Sequence, residues 1–123
     1  RDFTYIDDLV TALVALVDAV PGREPVSTDD SLSPVAPFRT VNIGGGSPVP
    51  LMDYIAALEA AMGTEAKKNF LPMQAGDVPA THASPDLLRT LTGYAPATDV
   101  QKGIEAFADW YRAYYSSTGH GGV

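Results

Sequence analysis

Ile6-Asp7-Asp8-Leu9-Val10-Thr11-Ala12-Leu13-Val14-Ala15-Leu16-Val17-Asp18-Ala19-Val20 is the stretch on which the fold turns. Apolar side chains fall at Ile6, Leu9, Val10, Leu13, Val14, Leu16, Val17 and Val20. On a helix that spacing covers well over half of the circumference. A helix so apolar needs cover on two sides, and the rest of the chain is short of material to supply it. Asp7 and Asp8 sit favourably at the positive end of its dipole, and Pro21-Gly22 is expected to end it. Just before it, Arg1-Asp2-Phe3-Thr4-Tyr5 alternates and is rich in β-formers, which predicts a short strand or an extended lead-in.

Downstream, residues 21–37 hold Pro21, Pro25, Pro34 and Pro37 among Ser, Thr and Asp. This predicts a surface loop, long for a compact domain. Arg39-Thr40-Val41-Asn42-Ile43 reads as a buried strand and Gly44-Gly45-Gly46-Ser47 as a turn. A second helix is expected with Pro50 near its first position, Leu51, Ile55, Leu58 and Met62 on one stripe, and Gly63 as its stop. Lys67 to Met73 reads as a short strand, and Gln74-Ala75-Gly76-Asp77 as a turn. Ser84 can cap a short helix with Pro85 at its first position, Leu87, Leu88 and Leu91 buried, and Gly93 closing it. In the last helix Thr98 and Gln101 have capping-box spacing, and Val100, Ile104, Phe107, Tyr111 and Tyr114 follow a heptad-like stripe. The Gly-rich, polar residues 116–123 read as a disordered tail.

The chain has 123 residues, enough for one domain or a piece of one. Hydrophobic residues make up 46%, which indicates a folded chain and not a disordered one. With 15 acidic and 8 basic residues the net charge is −7, so there is no basic face for nucleic acid. A phosphate partner must then be met by a few placed cations. No apolar run is long enough to span a membrane, and no signal-type leader is seen. The chain opens on Arg1 without a methionine, and we expect it to be a segment of something longer. No cysteine is present, which excludes disulfides and thiolate metal sites and suits a reducing compartment such as the cytoplasm.

Strand, glycine-rich turn and helix together are how dinucleotide sites are built. Here Gly44 and Gly46 are followed by Ser47-Pro48-Val49, so the third glycine of GxGxxG is missing. Pro48 also removes a backbone donor. A plain turn is the better reading. His82 and His120 are the only histidines and have no carboxylate cluster near them in sequence, so no metal site is expected. No serine sits in a nucleophile elbow, and no catalytic constellation emerges. What remains is a scattered set able to hold an anion and a sugar: Arg1, Asn42, Gln74, Asp77 and Arg89. Arg offers a bidentate fork for a diphosphate, Asn an amide donor, and Asp an acceptor for hydroxyls.

Three stretches carry a resemblance. They are Arg1-Asp2-Phe3-Thr4-Tyr5-Ile6-Asp7-Asp8-Leu9-Val10, Val41-Asn42-Ile43-Gly44 and Met73-Gln74-Ala75-Gly76-Asp77-Val78-Pro79-Ala80-Thr81. In this order and spacing the chain resembles extended short-chain dehydrogenases/reductases that epimerise nucleotide sugars, the UDP-glucuronate 4-epimerase branch in particular. The likeness runs from Arg1 to about Tyr115. The first motif is shared by many enzymes of the family, whereas Leu71 to Thr81 is more specific to the glucuronate branch. Such enzymes begin with a Rossmann domain that holds NAD on a glycine loop and carries a Tyr-x-x-x-Lys pair, and neither motif occurs here.

The resemblance therefore implies a substrate-side piece, in which the first helix and the strand around Thr40–Ile43 belong to a Rossmann layer whose N-terminal part lies outside this chain. It implies Arg1 at the UDP diphosphate, Asn42 beside the same phosphates and Asp77 at the uridine ribose. Gln74 stands where many relatives have arginine, so it keeps hydrogen bonding and loses the charge. In the parent, NAD would oxidise C4, the 4-keto sugar would turn, and hydride would return to the opposite face.

The expected architecture is α/β and helix-rich, with about four helices and a few short strands. Residues 1–50 would form a Rossmann edge and 51–115 a small C-terminal substrate domain. The expected function is UDP-sugar binding within an NAD-dependent epimerase, with no catalytic residue and no cofactor or metal held by this piece. Exposed apolar surface on the first helix predicts self-association. The rival reading is a non-enzymatic helical protein-interaction module that docks through the last helix.

Overall fold

The computed structural model describes residues 1–117. Among the described residues there are four helices, in the order α1 (Ile6–Val17), α2 (Leu51–Met62), α3 (Asp86–Thr92) and α4 (Val100–Ser117). They fall into two compact units, Arg1–Pro48 with Ala80–Thr98, and Val49–Pro79 with Asp99–Val123. In the first unit α1 packs on α3, and in the second α2 packs on α4.

Helix α1 starts from an extended Tyr5 whose carbonyl accepts from Leu9 N–H at 3.0 Å. It ends at Asp18, before Pro21 is reached, with Ala19 N–H turned onto Leu16 O at 3.1 Å. The inner side buries Ala12 against the other elements of the unit and half-buries Leu9 and Leu16. On α3, Leu88 is fully buried. The opposite side of α1 is uncovered: Ile6, Val10, Leu13, Val14 and Val17 are all about half exposed or more, with Val17 at 74%.

Glycine ends two helices as expected. Gly63 and Gly93 take left-handed backbone (φ 69° and 73°) and return their N–H groups to Glu59 O and Arg89 O. Pro50 precedes α2 and its carbonyl takes Tyr54 N–H. Ser84 Oγ accepts Asp86 N–H at 3.2 Å, one residue ahead of the Pro85 carbonyl that opens the α3 ladder. In the second unit Ile104 and Ala108 of α4 are buried, and Arg112 donates to the Ala61 carbonyl in the last turn of α2. Glu59 accepts from Ala66 N–H and pairs with Lys68, which folds the chain after α2 back onto the helix.

Several expectations are corrected. No strand exists among the described residues, although Arg1–Tyr5, Arg39–Ile43 and Lys67–Met73 carry strand-like sequence. A strand needs a laddered neighbour, and none of the three segments is paired to one. Helix α1 stops at Val17 and not at Val20. The cap of α4 is Asp99, whose Oδ1 accepts Gln101 N–H at 2.9 Å. Thr98, expected in that role, instead gives its own N–H to Asp8. An ionised carboxylate one residue nearer the helix is the stronger acceptor. Of the expected α4 stripe only Ile104 is buried, while Phe107 and Tyr114 are about half exposed in a chain of ring contacts through Trp110. Helix α4 runs through Ser116 and Ser117, the first two residues assigned to a disordered tail. Residues 118–123, His120 among them, lie outside the described residues.

Residues 21–37 form more than an open loop. Arg39 reaches back to Asp30 in a two-pronged ion pair, Nε to Oδ1 at 2.7 Å and Nη2 to Oδ2 at 2.8 Å. The two side chains are 4% and 0% exposed. Asp30 also accepts the N–H groups of Val26 and Leu32 at 2.8 and 3.0 Å, and Ser31 and Thr40 bond to each other across the same neck. Hydrogen bonding from Arg39 holds the Asp30 carboxyl at about 2, against the opposing effect of burial.

Candidate functional site

The glycine turn is where the site begins. Gly46 has φ +66° and so needs glycine. Gly44 is fixed for another reason: a Cβ there would lie 2.7 Å from the Ala83 Cβ. Gly45 has nothing nearer than 3.8 Å. The turn is thus pressed against residues 83–85, and Asp2 holds the two together. Asp2 Oδ2 accepts Ala83 N–H at 2.9 Å and Gly46 N–H at 3.2 Å, while Asp2 N–H donates to Thr81 Oγ1 at 3.0 Å. Asp2 Oδ1 is buried with no hydrogen-bond partner.

This geometry speaks to the cofactor. In a dinucleotide loop the glycine N–H groups face a phosphate. Here the Gly46 N–H is spent on a carboxylate of the chain itself, and a phosphate brought to it would meet a like charge. The turn does not fit NAD.

Arg1, half-buried, and Asn42, exposed, belong to the first unit, on two of the segments that Asp2 joins. Gln74 and Asp77, both exposed, share one turn of the second unit, in which Asp77 N–H donates to Gln74 O at 3.2 Å and Gly76 has φ +94°. Arg89 is exposed on α3 and paired with Asp86 at 3.0 Å, a surface ion pair one turn apart. Among the described residues no group of three or more His, Asp or Glu side chains could hold a metal ion.

A second carboxylate has a role that helix-dipole reasoning did not supply. Asp8 accepts the Tyr94 hydroxyl at 2.8 Å, Thr98 N–H at 2.8 Å and Ala97 N–H at 3.2 Å. Burial works to raise its pKa, but the bonds from Thr98, Tyr94 and Ala97 together hold it below the ordinary 3.8. Burial, and then the hydrogen bond to Asp8 and its charge, push the Tyr94 hydroxyl up. Sequence reasoning missed Asp2, Asp8 and Asp30 as anchors because their donors, backbone N–H groups together with the Tyr94 hydroxyl and the Arg39 guanidinium, come from distant or irregular segments and leave no spacing pattern.

No protein-family model matches the chain. Individual proteins do. A protein of Rhizobium meliloti described as a probable UDP-glucuronate 4-epimerase is 51% identical over 119 residues, which are 94% of this chain and 35% of the relative. UDP-glucuronate 4-epimerase 4 of Arabidopsis thaliana is 41% identical over 117 residues, 94% of this chain and 26% of that protein. Among solved structures, a mutant UDP-glucuronic acid 4-epimerase of Bacillus cereus, in complex with UDP-4-deoxy-4-fluoro-glucuronic acid and NAD, superposes with a TM-score of 0.69 at 31% identity. That match covers 94% of this chain and 32% of the other. The chain spans about a quarter to a third of the length of these proteins. In sequence and in fold it matches the C-terminal part of UDP-glucuronate 4-epimerases.

Proposed function

We propose that this chain is the UDP-binding portion of an NAD-dependent 4-epimerase acting on UDP-glucuronate or a related UDP-hexuronate, and that it is not catalytic by itself. The observation that carries this reading is the match over 94% of the chain to only 35% of a relative. A likeness so complete on one side and so partial on the other is what a piece of a larger enzyme gives. The interaction-module reading has only the aromatic face of α4 behind it and is not favoured.

In the whole enzyme Arg1 forks the diphosphate, Asn42 lies beside it, Asp77 accepts from a ribose hydroxyl, and Gln74 adds a neutral hydrogen bond. Residues 1–50 extend the Rossmann layer and 51–115 form the small substrate domain, of which residues 80–98 fold with residues 1–48 in the first unit. NAD supplies oxidation of C4 and return of the hydride to the other face, and it is held by the remainder of the enzyme. This chain's contribution is to spend nucleotide binding energy on placing the sugar. The uncovered side of α1 faces the missing part of the Rossmann layer, and in isolation it drives self-association. We place the enzyme in carbohydrate metabolism in the cytoplasm; no helix of the described residues is long and apolar enough to cross a membrane.

Calorimetry tests the reading. The isolated chain should bind no NAD, and saturable NAD binding at micromolar concentration would overturn it. In the full-length enzyme Arg1→Ala should weaken UDP roughly 10- to 100-fold, the worth of a charge-assisted bond of about 1.5–3 kcal/mol, and leave NAD affinity alone. Arg89→Ala, already engaged with Asp86, should stay within about twofold. Equal UDP affinity in wild type and Arg1→Ala would remove the central residue of the site.

A further inference from the structure

Asp2 gathers three segments that are far apart in the sequence. One is its own, which also carries Arg1. The second is the Asn42–Gly46 turn, reached through Gly46 N–H at 3.2 Å. The third is Thr81–Ala83, held at both ends by Thr81 Oγ1 at 3.0 Å and Ala83 N–H at 2.9 Å. The packing around this knot leaves no slack, since even a methyl group on Gly44 would collide with Ala83. One carboxylate oxygen takes both donors, and the other is buried without a partner. The arrangement therefore uses the side chain as a two-donor acceptor and makes no use of its second oxygen.

We propose that Asp2 is a positioning residue for the nucleotide diphosphate: it ties the backbone directly after Arg1 to the turn that follows Asn42, so that both stand ready before the ligand arrives. The proposal rests on the reading of Arg1 and Asn42 as phosphate ligands given above. A preorganised pair binds without first ordering the turn, and this advantage is lost when the clamp is removed. Asp2 acts through its neighbours and does not touch the phosphates, because a carboxylate beside them would repel.

The test uses the full-length enzyme with UDP as the probe, and NAD affinity as the control for folding. Asp2→Ala should raise the UDP dissociation constant and the KM for UDP-glucuronate about tenfold, with kcat within about threefold. Asp2→Asn still offers one oxygen to the two N–H groups and puts its amide where no partner is lost, so it should recover UDP affinity to within about threefold of wild type. In an Arg1→Ala/Asn42→Ala background Asp2→Ala should add no more than about twofold, since its targets are gone. If Asp2→Ala fails to bind NAD, Thr81→Val decides: it frees only the Asp2 N–H and should still raise KM about threefold.

An unchanged UDP affinity in folded Asp2→Ala, or in Thr81→Val where that variant decides, overturns the proposal. So does an Asp2→Asn as weak as Asp2→Ala, or a full tenfold loss persisting in the double-variant background. If Arg1→Ala itself leaves UDP binding intact, the ligand assignment fails and the positioning role falls with it. A loss in Arg1→Ala beside no loss in Asp2→Ala refutes positioning alone.

Discussion

Val14 stands on the uncovered side of α1, 65% exposed, with Val10 and Val17 beside it. Covering Ile6, Val10, Leu13, Val14 and Val17 would recover about half of the roughly 1.5–3 kcal/mol that full burial of each side chain yields, or about 5 kcal/mol for the face. A symmetric pair of chains hides two such faces. The gross gain of about 10 kcal/mol stands against about 4–15 kcal/mol of association cost, so the isolated chain should dimerise no more tightly than about tens of micromolar. Val14→Lys should abolish that association and dye binding, without loss of helix, because Lys is the better helix former. The same substitution in the full-length enzyme should lower stability by several kcal/mol, since there it sets an unpaired ammonium against covering protein. Sedimentation of the chain across that concentration range, ANS fluorescence, and denaturant melts of both forms read the two effects. A chain that stays monomeric and binds no dye, or a Val14→Lys that costs the full-length enzyme nothing, would refute the reasoning.

Asp8→Ala should destabilise the chain by about 2–3 kcal/mol in urea melts, because the Tyr94 hydroxyl and Thr98 N–H each lose about 1–1.5 kcal/mol of hydrogen bonding in half-buried surroundings. Its folded pKa lies below 3.8, so the contribution is complete above that pH and the gap to Asp8→Asn should close as pH falls beneath it. Asp30, held at about 2, should keep its loop intact down to pH values at which free carboxyls are already protonated; the amide resonances of Val26 and Leu32 should titrate together near 2, and a midpoint near 3.8 would contradict the ion pair. Gly44→Ala should cost about 1–3 kcal/mol by forcing the turn off Ala83, whereas Gly45→Ala should stay within about 0.5 kcal/mol; equal melting temperatures for the two would contradict the close approach.

The helices were legible in the sequence because their signals are local. Gly63 and Gly93 mark left-handed stops, and the excess of apolar residues on Ile6–Val17 announces a helix wanting cover on both sides. Strands were overread for the converse reason: β-forming residues state a preference, but pairing is set by segments elsewhere, and Arg39 shows the competition directly by turning to Asp30. The glycine turn lacks the third glycine of an NAD loop, which is plain from the sequence, yet the carboxylate that takes its Gly46 N–H could not be foreseen. Asp2 lies 44 residues from Gly46 and 81 from Ala83, and nothing in one-dimensional spacing links them. The proposed ligands Arg1, Asn42, Gln74 and Asp77 stood out, with Arg89, only as polar residues able to hold an anion and a sugar; their individual roles came from the resemblance, since residues so scattered carry no pattern of their own.

The neck formed by Asp30 and Arg39 makes residues 31–38 a small lariat in a chain that has no cysteine to tie one covalently. Val35, at the far side from the knot, is 91% exposed. Lengthening a loop that is already closed is inexpensive, about 0.6 kcal/mol for each doubling. The lariat is therefore a natural port for grafting: a tag, an epitope or a fluorescent reporter could be spliced beside Val35 while the knot keeps the rest of the unit in register. Acid would unlatch such a graft reversibly, which a disulfide could not do.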